Sequence, residues 1–125
     1  MIEVKRGTCH CGEVEFEITI REGLKNLRRC NCSLCRRKGI IMADIDATDI
    51  RILRGKNKLT AYQWNTKIAK HWFCSICGIY THHKKRSVPT GYGINIACLE
   101  EFDPFELGEV PIADGSSMSI VVDKI

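Results

Sequence analysis

The sequence predicts an all-β domain held together by metal rather than by disulfides. Three observations carry that expectation. Short runs alternate apolar and polar residues with period two, turn residues separate them at close intervals, and seven cysteines gather in three clusters.

Taken in order, the clearest strand is 13–20. There Val14, Phe16, Ile18 and Ile20 alternate with Glu13, Glu15, Glu17 and Thr19, so one face is built to be buried. Further strands are expected at 40–44, 50–54, 58–64, 69–73, 79–83, 92–98 and 119–123. Gly23, the run from Arg54 to Asn57, and the run from Ser87 to Gly91 supply turn signals between them. No helical stripe of three turns is present, and Ser33 to Lys38 is long enough for one helical turn only. Trp64, Trp72, Phe73 and Tyr92 read as core aromatics. With 125 residues the chain reads as a single domain spanning 1–125. No stretch approaches the roughly 20 apolar residues of a membrane span, so no membrane partner is expected. The N-terminus lacks the basic-then-apolar pattern of a secretory leader, which predicts a cytoplasmic, reducing location.

A reducing compartment turns eight cysteines toward metal or catalysis. The spacing is Cys9-x-Cys11, then Cys30-x-Cys32-x-x-Cys35, then Cys74-x-x-Cys77, with Cys98 apart. Gly12 and Gly78 follow two of the clusters, where a left-handed residue lets backbone amides point at the sulfurs. Zinc takes thiolates in a tetrahedron, so the two pairs can close one four-sulfur site, which reads as structural. The triplet leaves its ion one position short. Either that position is open for chemistry, or a histidine or Cys98 fills it.

Charge says less about partners than it first suggests. The formal charge is +4, and two zinc ions on seven thiolates would subtract three charges, leaving about +1. That balance disfavours a nucleic-acid partner. The distribution is uneven: residues 21–38 are basic and residues 99–125 acidic, as two faces that attract each other would be.

The segments Gly7-Thr8-Cys9-His10-Cys11-Gly12, Cys30-Asn31-Cys32-Ser33-Leu34-Cys35-Arg36-Arg37 and Phe73-Cys74-Ser75-Ile76-Cys77-Gly78 resemble the signatures of the glutathione-dependent formaldehyde-activating family, which also contains centromere protein V. The run from Gly93 to Glu100 resembles its closing motif, and the likeness covers roughly 5–105. The resemblance implies a β-tent of several short antiparallel sheets stapled by zinc knuckles. It implies two zinc ions per chain: a structural one on Cys9, Cys11, Cys74 and Cys77, and a labile catalytic one on Cys30, Cys32 and Cys35. It also implies a carbon–sulfur lyase-type activity like S-(hydroxymethyl)glutathione synthase, adding glutathione to formaldehyde. The short chain, with Ile79-Tyr80-Thr81-His82-His83 after the last knuckle, looks like a smaller branch of that family. The rival functions are a non-enzymatic zinc module that binds a protein or nucleic acid, and a thiol or metal sensor.

The residues themselves suggest the remaining roles. A three-thiolate zinc carries net charge −1, suited to holding an incoming thiol as thiolate beside a small aldehyde. Arg28, Arg29, Arg36 and Arg37, with Lys38, flank the triplet and can pair with glutathione carboxylates. Histidines are the proton-transfer candidates. His10 sits inside a knuckle and His71 reads as structural. His82 and His83 are adjacent on a strand, so only one of them should face the triplet. Cys98, between Ala97 and Leu99, reads as a small core residue.

Overall fold

The alternating segment builds the first sheet. The computed structural model describes residues 2–64, 67–86 and 91–115. In it β2 (Glu15–Ile20) buries Phe16, Ile18 and Ile20 and leaves Glu15, Glu17 and Thr19 half-exposed. It lies between β1 (Glu3–Thr8) and β5 (Ile50–Arg54), antiparallel to both. No alternation announces β1, whose only buried residue is Gly7; its edge is recruited by pairing with β2 from Glu3↔Ile20 to Thr8↔Glu15.

The second sheet has seven strands in the order β10-β3-β4-β9-β8-β7-β6. These are β3 (Lys25–Cys30), β4 (Met42–Asp46), β6 (Leu59–Tyr62), β7 (Lys70–Cys74), β8 (Tyr80–Lys84), β9 (Gly91–Asn95) and β10 (Ile112–Ala113). Every neighbouring pair is antiparallel except β10 with β3, which is parallel. One helical turn, α1 (Cys35–Lys38), falls where the sequence placed it, and the fold is mainly β as expected.

The core fills the space between the sheets. Phe16, Ile18 and Ile20 of β2 meet Ala43 of β4, Ile94 of β9, and Ile41, Ile96 and Leu99 in the segments flanking those strands. Each large side chain buried this way contributes about 1.5–3 kcal/mol. Cys98 belongs to this cluster, as its apolar neighbours suggested.

Several expectations are corrected in detail. The strand expected at 92–98 stops at Asn95, whose side chain accepts from the Ala97 amide (3.2 Å) and turns Ile96–Cys98 into a 3-10 turn. The strand at 40–44 forms two residues later. β3 was not foreseen, because Lys25-Asn26-Leu27-Arg28-Arg29-Cys30 is nearly all polar and its pairing with β4 is interrupted by a bulge where Asn26 has φ 55°. The strand expected at 119–123 lies outside the described residues. Trp64, Trp72, Phe73 and Tyr92 are half-buried rather than central, and the last three line cavities.

Candidate metal centres

Two hairpin turns, one from each sheet, build the four-cysteine centre. Cys9 and Cys11 lie between β1 and β2, Cys74 ends β7, and Cys77 lies in the turn to β8. The turns are built alike. Gly12 (φ 82°) and Gly78 (φ 78°) take the left-handed conformation, and their amides donate to the carbonyls of Cys9 (3.3 Å) and Cys74 (2.8 Å). Amides also point at sulfur, Val14 toward Cys9 Sγ (3.3 Å) and Ile76 toward Cys74 Sγ (3.4 Å). All four sulfurs lie within 4.8 Å of one another. Cys9–Cys11 and Cys11–Cys74 are 3.6 and 3.7 Å apart. A tetrahedron with zinc–sulfur bonds near 2.3 Å has edges of about 3.8 Å, so the spacing fits such an ion.

The triplet forms the second centre, where β3 gives way to α1. Cys30 ends the strand, Cys32 is buried in the bend and Cys35 opens the helix, with their sulfurs again within 4.8 Å. Burial raises the Cys32 thiol, but the amides of Cys35 and Leu34 and the neighbouring thiols outweigh it, so its pKa falls below the ordinary value. The Cys35 amide stands 3.2 Å from Cys32 Sγ. Burial pushes Cys35 up to about 12. Among the described residues no fourth His, Cys, Asp or Glu joins the triplet, and Cys98 stays in the core with its Sγ 3.6 Å from the Tyr80 carbonyl.

The chain's later part forms one wall of this centre. The Pro111 and Ala113 carbonyls accept from the Arg29 and Asn31 amides (2.9 and 3.2 Å), and the Gly115 amide donates to Asn31 Oδ1 (2.7 Å). Gly115 thereby lies flat against the sulfurs, where a Cβ would meet Cys30 Sγ at 2.8 Å and the Cys32 Cβ at 3.0 Å.

On the other side stands a cluster that only folding assembles. The Lys38 ammonium interacts with Cys35, sits 3.6 Å above the Tyr80 ring and donates toward His71 Nδ1 (3.5 Å). Tyr80 is hydrogen-bonded to His83 Nδ1, and His83 stacks on His71 with centroids 5.4 Å apart. Gly93 makes room for that ring, since a Cβ there would stand 2.1 Å from His83 Cε1. Burial pushes His71 to about 4 and His83 to about 2, and raises Tyr80 well above its ordinary value. Both partners are therefore neutral, the phenol donates to Nδ1, and His83 carries its own proton on Nε2. A cavity of about 360 Å³ lies beside Leu34, Lys38, His71, Phe73 and Tyr80.

The alternation of β8 separates the two candidate histidines as expected. His83 faces the Lys38–Tyr80 cluster, while His82 stacks on Trp72 (4.7 Å) on the opposite side. Burial also pushes His82 to about 4. None of these three buried rings titrates between pH 5 and 8, where histidine chemistry was expected, because the folded chain desolvates the charged form.

The four arginines diverge. Arg28 is paired with Asp44 (2.8 Å), which Lys85 also contacts, and Arg37 donates to the Ser33 carbonyl (2.7 Å). Arg29 and Arg36 line a cavity of about 180 Å³ with Cys30, Asn31 and Cys35, and Arg29 donates to the Gly39 carbonyl (2.8 Å). The basic and acidic stretches run side by side through β3 and β10, and within the basic stretch Arg21 pairs with Asp49 and Arg28 with Asp44. Sequence reasoning gave Tyr80 no role and Lys38 only a substrate-pairing one; the Cys35-to-Lys38 spacing of one helical turn was the available signal for Lys38. His10 is exposed on its knuckle.

The likeness to known proteins agrees with this geometry. A crystal structure of a Rhodobacter sphaeroides protein, a structural-genomics target, is 54% identical, with a TM-score of 0.83, over 86% of this chain and 99% of that one. Residues 4–110 match the family described as glutathione-dependent formaldehyde-activating enzyme. With that match over most of its length and both cysteine centres in place, the chain belongs to the glutathione-dependent formaldehyde-activating enzyme family.

Proposed function

We propose that the chain adds a thiol, glutathione, to a small aldehyde, formaldehyde, at Cys30, Cys32 and Cys35, with a structural zinc on Cys9, Cys11, Cys74 and Cys77. The observation that carries this reading is the incomplete triplet: three converging sulfurs with no fourth ligand among the described residues. Zinc held there would supply an open position that favours an incoming thiol as its thiolate.

The chain's own residues do the rest. Arg29 and Arg36, lining the cavity against Cys30 and Cys35, pair with substrate carboxylates and hold the thiol at the centre. Lys38 places an ammonium beside Cys35, where it stabilises the alkoxide that forms as the carbon–sulfur bond closes. The Tyr80 ring lies against the Lys38 ammonium, and His83 holds the Tyr80 hydroxyl. The product is a hemithioacetal, with the thiol's proton ending on the former aldehyde oxygen. All eight cysteines are unpaired, consistent with a reducing cytoplasm.

Exchange NMR with labelled formaldehyde and glutathione tests the reading. Wild-type protein should accelerate hemithioacetal formation and Cys32→Ser should not. Equal rates for the two would overturn it.

A further inference from the structure

The face of the seven-stranded sheet turned away from the triplet carries its own cavity, of about 540 Å³, between β5 and strands β7 to β9. Its floor is three side chains from neighbouring strands: Trp72 directly opposite His82, and Tyr92 diagonal to His82, two residues from its partner Ile94. Their rings are nearly parallel, at 15° for Trp72–His82, 13° for Trp72–Tyr92 and 13° for His82–Tyr92. Rings that share one orientation offer a common stacking direction to a flat guest. Ile50 and Ile52 of β5 supply the apolar wall opposite.

Two polar groups at this cavity have unused capacity. The Thr81 hydroxyl donates its one proton to the Trp72 carbonyl (3.4 Å), so it accepts from His82 Nδ1 (2.8 Å). His82 is 5% exposed, and burial keeps the ring neutral, so the distal Nε2 is a bare acceptor. At the rim, Arg51 is held by Glu17 (2.7 Å), whereas among the described residues Lys56 has no carboxylate within ion-pair distance. The site thus lacks a donor for His82 and an anion for Lys56.

We propose that this cavity binds a planar aromatic carboxylate carrying a ring hydroxyl, stacked with Trp72 and Tyr92, its hydroxyl donating to His82 Nε2 and its carboxylate paired with Lys56. None of these residues belongs to either cysteine centre, so the site is independent of the thiol chemistry.

The test is an amide-NMR titration of the metal-loaded protein with 6-hydroxy-2-naphthoate, with 2-naphthoate, 2-naphthol and cyclohexanecarboxylate as comparisons. Shifts should centre on Trp72, His82 and Tyr92. Removing the ring hydroxyl or the carboxylate should each weaken binding about fivefold to tenfold, as loss of one hydrogen bond or charged contact does. Tyr92→Leu and Lys56→Gln should weaken it similarly while leaving metal content unchanged. If cyclohexanecarboxylate binds as well as the naphthoate, stacking is not the basis and the proposal fails. It fails equally if Tyr92→Leu and Lys56→Gln bind the probe like wild type, or if the shifts centre on Leu34 and Tyr80 instead.

Discussion

Gly115 rests against Cys30, so closely that the carbon an alanine would add falls 2.8 Å from the Cys30 sulfur. Gly115→Ala should therefore push the Pro111–Gly115 wall off the triplet or displace the sulfur. Cobalt(II) substitution reads this directly through its thiolate charge-transfer absorption. The variant should bind cobalt at the triplet at least tenfold more weakly, roughly the cost of one disturbed ligand environment. The four-cysteine centre should fill normally.

Removing a sulfur from each centre should give different phenotypes. Cys74 sits where the two sheets meet, and structural zinc sites contribute about 10–16 kcal/mol in small zinc peptides. Cys74→Ser should unfold or aggregate the protein. Cys32→Ser should keep the fold, because the core of Phe16, Ile18 and Ile94 lies elsewhere. Thermal melts with parallel zinc analysis compare them, and equal melting temperatures would contradict the division.

The catalytic reading separates the neighbouring histidines. His83→Ala removes the partner of Tyr80 and should lower the rate of thiol addition about tenfold, whereas His82→Ala should stay near wild type. Lys38→Met should cost more, about 10²-fold, if its ammonium stabilises the alkoxide. A fully active Lys38→Met protein would remove that residue from the mechanism.

Arginine variants should split by their partners. Arg36→Ala should raise KM for glutathione about tenfold with kcat little changed. Arg28→Ala should act on stability, since it leaves Asp44 with one fewer cation. Matched KM values for Arg36→Ala and wild type would return Arg36 to the solvent-facing surface.

Stability should fall in mild acid because His82 is buried neutral. Its folded pKa, about 4, lies below the unfolded value of 6.5, so unfolding takes up a proton between pH 6.5 and about 4. The contribution is fully present above pH 6.5 and is lost as pH drops toward 4, amounting to about 3 kcal/mol at that end. His82→Phe should flatten this part of the stability-against-pH curve, as followed by urea denaturation. An unchanged slope would show that His82 is solvated.

The sequence made both cysteine groups legible because a knuckle is a local object. Cys74, Cys77 and Gly78 carry their geometry within five residues, and the sulfurs of Cys30, Cys32 and Cys35 converge across one bend. β2 was legible because its burial alternates along one strand. By contrast β3 owes its existence to β4 and β10, and nothing in Lys25 to Cys30 encodes a buried face. The Lys38–Tyr80–His83 cluster was illegible for the same reason, since it joins α1 to β8 across the sheet. The lowered pKa of His71, His82 and His83 followed their burial, which residue type does not reveal.

The parallel pairing of β10 with β3 also sets an order of events during synthesis. The four-cysteine centre can close once Cys77 has left the ribosome, but the wall beside Cys30 needs Gly115, 84 residues after Asn31, its hydrogen-bond partner. At about 5–20 residues per second that interval is several seconds. For that time the nascent triplet lies open on one side, available to a metal donor or to an oxidant before the rest of the chain shelters it.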